Sequence, residues 1–204
     1  MQQISPDLGR YPEIIEFNRE FIQLLTGVSA PEQDQLFGMP LELLRELRSA
    51  GDDFNALVDQ MPCLLVELSP LIDHFISSPA ASRNTCNEPR PPEHDSWRTD
   101  VRVYTVGLLT YVWAAVRRDP DAARLYLGLR AESIAALAQM TLSELRQLAE
   151  HSPDSLRARF TTHPRFWSDL ISVSRLTHTD IDTSAIARLT ALPLLVAQSA
   201  ILAS

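Results

Sequence analysis

The chain has 204 residues, 45% of them hydrophobic, enough to bury a sizeable core as one large domain or two small ones. Two cysteines, Cys63 and Cys86, exclude a disulfide framework and a zinc-ligand set. The formal net charge of −8 is unevenly spread: residues 1–97 carry six Arg against sixteen acids, residues 98–204 twelve Arg against ten. An acidic half beside a mildly basic half restricts where any polyanion could bind.

Leu and Ala dominate, Gly is rare, strand signals are scarce, and the 14 prolines fall mostly between apolar-periodic segments. This pattern predicts an all-α protein. No secretory leader is read, so a cytoplasmic location is expected. All 18 basic residues are Arg, a bias that a GC-rich genome accounts for.

Residues 1–7 read as a loose N-terminus. A helix is expected from Tyr11 to Thr26, with Pro12 in its first turn, Ile14, Phe17, Phe21, Leu24 and Leu25 on one face, and Gly27 as its stop. Pro31 to Phe37 suggests a short helix. Pro40 opens another that ends at Gly51, and Asp52 or Asp53 caps a third through about Gln60. The run CLLVEL (63–68) is ambiguous between strand and helix, with helix continuing to about Ile76.

Residues 77–97 are rich in Ser, Pro, Asn and charge, and read as a mobile linker in which Cys86 is an exposed thiol. The predicted organisation is therefore an acidic helical unit over 8–76, a linker over 77–97 and a second helical unit over 98–204. A long helix follows, Trp97 to Arg117, apolar on most faces and so central in a core or shared with a partner chain. Asp119 caps the next helix, with Pro120 at its first position. Thr141 and Glu144 form a capping box for LSELRQLA. Thr162 or His163, before Pro164, starts RFWSDLISV, and a final helix is expected at Thr183–Leu202. The uncharged stretch Leu189–Ser204 is shorter than the ~20 residues needed to span a bilayer and is broken by Pro193, so a buried or partner-facing helix is expected and no membrane contact.

The two halves echo one another. QLFGMPLELLREL (35–47) overlies LYLGLRAESIAAL (125–137), matching Gly38 with Gly128, Glu42 with Glu132, Leu44 with Ile134 and Leu47 with Leu137. Upstream, Phe21 and Ile22 fall on Tyr111 and Val112. Downstream, one inserted residue brings Phe54, Leu57 and Asp59 onto Leu145, Leu148 and Glu150. Any two amphipathic hairpins match in part by chance. A true duplication would be two copies of one helical unit packed as a covalent pseudo-dimer.

The order Arg118, Asp119, Ala122 or Ala123, Leu127-Gly128-Leu129, Ala136-Leu137, Thr141-Leu142, Leu145, Leu148-Ala149 and Arg157-Ala-Arg159-Phe160 resembles the FlhD family of flagellar master-regulator subunits. The likeness covers about residues 104–160, and extends to 16–68 if the first half is a divergent second copy. It rests on ordinary helical residues, not on a catalytic signature. It implies two FlhD-like units in tandem, in a transcriptional activator subunit that oligomerises. It also implies an FlhC-like zinc-binding partner, with promoter DNA bound mainly through the complex. Relatives of that pair also control transfer genes on mobile elements. The chain departs from the family in its length and its acidic first half. Members often carry a cysteine linking subunits near the position of Leu156, and its absence here leaves such a disulfide unsupported.

Arg157, Arg159 and Arg165 crowd a segment before a helix start, where guanidinium groups and helix-start amides suit phosphate. Singly, each suits a solvated face paired with Glu150 or Asp154. As a cluster they are the first DNA-contact candidates, with Arg117, Arg118 and Arg124 second. The helices 131–139 and 141–150 resemble a helix-turn-helix, but LSELRQLAEH holds two Glu and one Arg and is a poor base reader. Tyr104, Leu108, Tyr111, Val112, Leu127 and Leu129 are the partner-interface candidates. Trp97, Trp113, Phe166 and Trp167 read as core, and Asp180 and Asp182 as caps. The five histidines form no i, i+4 pair, and G-x-S-x-G, Walker A and G-x-G-x-x-G are absent, so neither a metal, a cofactor nor an enzyme activity is expected. The alternative to an activator subunit is a helical adaptor or chaperone for a secretion or conjugation system, its acidic face binding basic clients.

Overall fold

The apolar stripe Ile14–Leu25 forms α1 (Pro12–Gly27), which buries Ile14, Asn18, Phe21, Ile22 and Leu25. The structure is a computed structural model that describes residues 12–27, 35–77, 96–163 and 165–175. Cys86, Asp180, Asp182, the expected terminal helix Thr183–Leu202 and most of the 77–97 linker lie outside the described residues.

The short helix expected to end at Phe37 is not formed in its described part. Instead β1 (Gln35–Leu36) pairs antiparallel with β2 (Met39–Pro40). Phe37 and Gly38 form the two-residue turn with φ of 51° and 78°, the positive pair that a tight hairpin requires. A phenylalanine is strained there, and tertiary packing offsets the strain: Phe37 is buried, its ring centroid 5.4 Å from Phe21 and 5.5 Å from Trp97.

Next, α2 (Leu41–Val58) runs through both helices expected between Pro40 and Gln60, kinked at Gly51 where φ is 57° and ψ −136°. Residues 63–65 are neither helix nor strand and, with Val66, are wholly buried, leading into β3 (Val66–Glu67) before α3 (Ser69–Ser77). The ambiguity of CLLVEL is decided by distant partners. Asn18, itself buried, donates from Nδ2 to the Cys63 carbonyl at 2.9 Å and accepts from the Leu65 amide at 2.8 Å. The Leu64 amide donates to the Tyr126 carbonyl at 2.9 Å. A buried backbone satisfied from outside does not need to coil.

The second half begins with α4 (Ser96–Arg118), whose stripe of Val101, Tyr104, Thr105, Leu108, Leu109, Val112, Ala115 and Val116 is buried. Asp119 caps α5 (Pro120–Leu127) by accepting from the Ala122 amide, and Gly128 at φ 70° closes it. Helix α6 (Ala131–Gln139) follows. Thr141 and Glu144 form both bonds of the expected capping box on α7 (Leu142–Glu150). A turn of helix, α8 (Ser152–Ser155), leads to β4 (Arg157–Ala158) and α9 (Phe166–Ser174), which starts later than Pro164.

The architecture is all-α, with two small two-stranded ladders among the described residues. Helix α4 is central, packing on α1, α5, α6, α7 and α8. The halves also cross over: α3 packs on α6, α7 and α8, while α9 packs on α2. Among the described residues, buried side chains of both halves form one hydrophobic cluster. Among the described residues no helix is long and apolar enough to cross a membrane.

Candidate functional site

The seam between the halves is built on β3 and β4. Val66 is paired with Ala158 and Glu67 with Arg157. The ladder is extended by the Ala158 amide donating to the Phe37 carbonyl at 2.8 Å and the Arg159 amide to Leu65 at 2.7 Å. Arg159 is the anchor. It is 2% exposed, and its guanidinium donates to the carbonyls of Tyr126 at 3.0 Å and Leu64 at 3.2 Å. Its own carbonyl accepts from the Trp167 indole at 2.9 Å. Burial lowers the Arg159 pKa, while Cys63 and Glu67 pull it back up. Burial pushes the Cys63 thiol and the Glu67 carboxyl upward, with Arg159 opposing in both cases.

This placement corrects the DNA-contact reading of Arg159. A guanidinium held by internal carbonyls and covered by Gly128 does not reach phosphate. The sequence grouped it with Arg157 and Arg165 because three arginines within nine positions look alike. Arg157 sits in β4, while Arg159 sits just past it in the turn with Phe160 (φ 64°). Arg157 is exposed and braces its own segment, donating to the Asp154 and Leu156 carbonyls at 3.1 Å. Arg165 is exposed and faces Asp169 at 3.4 Å, a weak i, i+4 pair.

The second arginine group is also divided. Arg117 lies 3.8 Å over the Trp113 ring and donates to the Ala138 carbonyl, closing the end of α6 onto α4. Arg118 is exposed and Arg124 partly buried.

Of the partner-interface candidates, five lie in the interior of the chain and Tyr111 is half-buried. Leu108, Val112, Leu127 and Leu129 are buried in the common core, and so is Tyr104. Tyr104 donates to the Phe17 carbonyl at 3.2 Å, and burial raises its pKa well above the ordinary phenol value. Tyr111 is half-buried, its ring 5.3 Å from Phe17. What covers the aromatic residues is the first half of the same chain.

Sequence reasoning missed the open side of that packing. Phe17, Glu20, Gln23 and Leu24 of α1 face Asp100, Val103, Tyr104 and Gly107 of α4 across a groove of about 650 Å³. Val103 is 68% exposed, the most exposed large hydrophobic among the described residues. Its signal was available, since Val103 stands off the stripe of Val101, Tyr104 and Leu108, but α4 reads as apolar on most faces and hides it. Among the described residues no group of three His, Cys, Asp or Glu gathers to hold a metal. Compared with protein-family models, curated proteins and solved structures, the chain matches none.

Proposed function

We propose that the chain is a non-enzymatic, cytoplasmic subunit of a transcriptional activator complex of the FlhD kind, its two halves packed as a covalent pseudo-dimer. In this reading it holds an FlhC-like zinc-binding partner, and promoter DNA is bound mainly through the complex. The observation that carries the pseudo-dimer is the register of β3 on β4. Continuing the alignment of the halves with its one inserted residue, Val66 falls on Arg157 and Glu67 on Ala158. Val66 pairs with Ala158 and Glu67 with Arg157, so each strand pairs with its own counterpart, as across a two-fold axis. The crossed packing of α3 and α9 on the opposite halves supports the same reading. So do the matched turns, since Gly38 and Gly128 both have positive φ before helices α2 and α6.

The regulatory part of the reading rests on the 104–160 resemblance. Its test is co-purification of the native protein with mass spectrometry of what it carries, followed by a promoter mobility shift with and without the recovered partner. The expected result is a zinc-binding regulator and a shift that needs it. Recovery of a secretion or conjugation component with no promoter shift would replace this reading with the adaptor one.

A further inference from the structure

The groove between α1 and α4 is lined by both apolar and acidic side chains. Phe17, Leu24 and Val103 supply apolar surface, and Glu20 and Asp100 are exposed. A Cβ on Gly107 would lie 3.7 Å from the Phe17 ring, so the two helices meet closely at that level. The arginines of the same helices are engaged elsewhere: Arg19 with Asp59 at 2.6 Å, Arg98 with Asp154 at 3.0 Å and Arg102 with Glu150 at 3.3 Å. Neither Glu20 nor Asp100 forms an ion pair among the described residues. An open apolar strip between carboxylates is complementary to one kind of ligand surface.

We propose that this groove receives an amphipathic helix of a partner protein, its apolar stripe laid over Val103 and its flanking Lys or Arg facing Glu20 and Asp100. The inference deepens the partner half of the reading above and rests on it only in that a partner exists. Charge selects this occupant over two others. A second copy would bring the same carboxylates into opposition. The chain's own expected terminal helix, 183–202, is apolar and carries a single cation, Arg188, against two carboxylates.

The test uses the full chain and a fluorescent model peptide: a leucine stripe at helical spacing flanked by lysines, with a companion in which every lysine is glutamate. Anisotropy titration at low salt should give binding of the lysine peptide, with the glutamate peptide at least ~10-fold weaker. Val103→Glu and the pair Glu20→Lys/Asp100→Lys should each weaken the lysine peptide at least ~10-fold. Glu42→Lys/Asp121→Lys, with the same net charge but away from the groove, should stay within about 2-fold. These positions are exposed, so the groove variants should change melting curves little, while the off-groove pair, each acid in a helix first turn, should melt slightly lower and stay folded. Equal loss in the off-groove pair would reduce the effect to bulk charge and overturn the proposal. Tighter binding on deleting residues 189–204 would make the chain's own tail the occupant. Self-association abolished by Val103→Glu would make it a second copy. Either result overturns the proposal as well. The assay contains no DNA and no zinc protein, so its failure is distinct from failure of the promoter test.

Discussion

The guanidinium of Arg159 lies directly beneath Gly128, its Cζ 2.5 Å from where a side-chain Cβ at that position would stand. The glycine is required twice there, by this approach and by its φ of 70°. Gly128→Ala should therefore destabilise the fold by about 1–3 kcal/mol, read by urea denaturation. Gly27→Ala is the control: no atom lies within 4 Å of its added Cβ, and the change should be near neutral.

Asn18 is the second device holding the seam. Its amide satisfies a carbonyl and an amide of the buried 63–65 segment, 45 and 47 residues away. Asn18→Leu leaves both groups buried without partners, at a cost of about 1–3 kcal/mol each. A loss of stability below about 0.5 kcal/mol would mean that water or a local shift replaces these bonds.

Among the arginines, exposure divides two kinds of effect. With a DNA-binding partner present, Arg157→Ala/Arg165→Ala should weaken promoter binding and flatten the dependence of log K on log salt by about 1 for each phosphate left without its arginine. Arg159→Ala should lower the melting temperature and leave the salt slope of the folded fraction unchanged. An unchanged slope in the double variant would remove the 157–165 segment from any DNA interface.

Because α3 and α9 each pack on the opposite half, each half leaves apolar surface that the other covers. A fragment starting near Asp95 should self-associate or aggregate, while the intact chain forms smaller species; light scattering on both decides this. Co-expressing residues 1–86 with 87–204 should restore a soluble one-to-one complex. A well-behaved monomeric fragment 95–204 would show that the halves do not depend on each other.

Glu67 supplies a pH dependence. Burial raises its carboxyl pKa in the folded chain despite Arg159 and Arg130. The folded state therefore holds this proton more tightly than the unfolded chain. The contribution is complete below the ordinary glutamate pKa of about 4.3 and is lost as pH rises through the raised folded value. Glu67→Gln should stabilise the protein at neutral pH and change little at about pH 4, in denaturation curves measured at both.

Local elements were legible in the order of residues, because helix signals act over a few positions. Asp119 before Pro120, the Thr141–Glu144 box and the apolar stripe of α1 each name their partners within a turn or a face of one helix. Gly51 was legible as a break for the same reason, since only its own backbone is at issue. Which of several chemically similar residues lies inside is a matter of packing between distant segments. Arg157 lies in a strand whose partner is some ninety residues away, Arg159 in the turn just past it, and Phe37 leaves the helical pattern to fill a space between Phe21 and Trp97. The non-helical course of 63–65 depends on Asn18 and Tyr126, neither of which is a sequence neighbour. Apolar character put Tyr104, Leu108 and Val112 on an interface. Only the packing of α1 against α4 shows that the neighbouring surface belongs to the same chain, because burial is a property of what arrives from elsewhere along it.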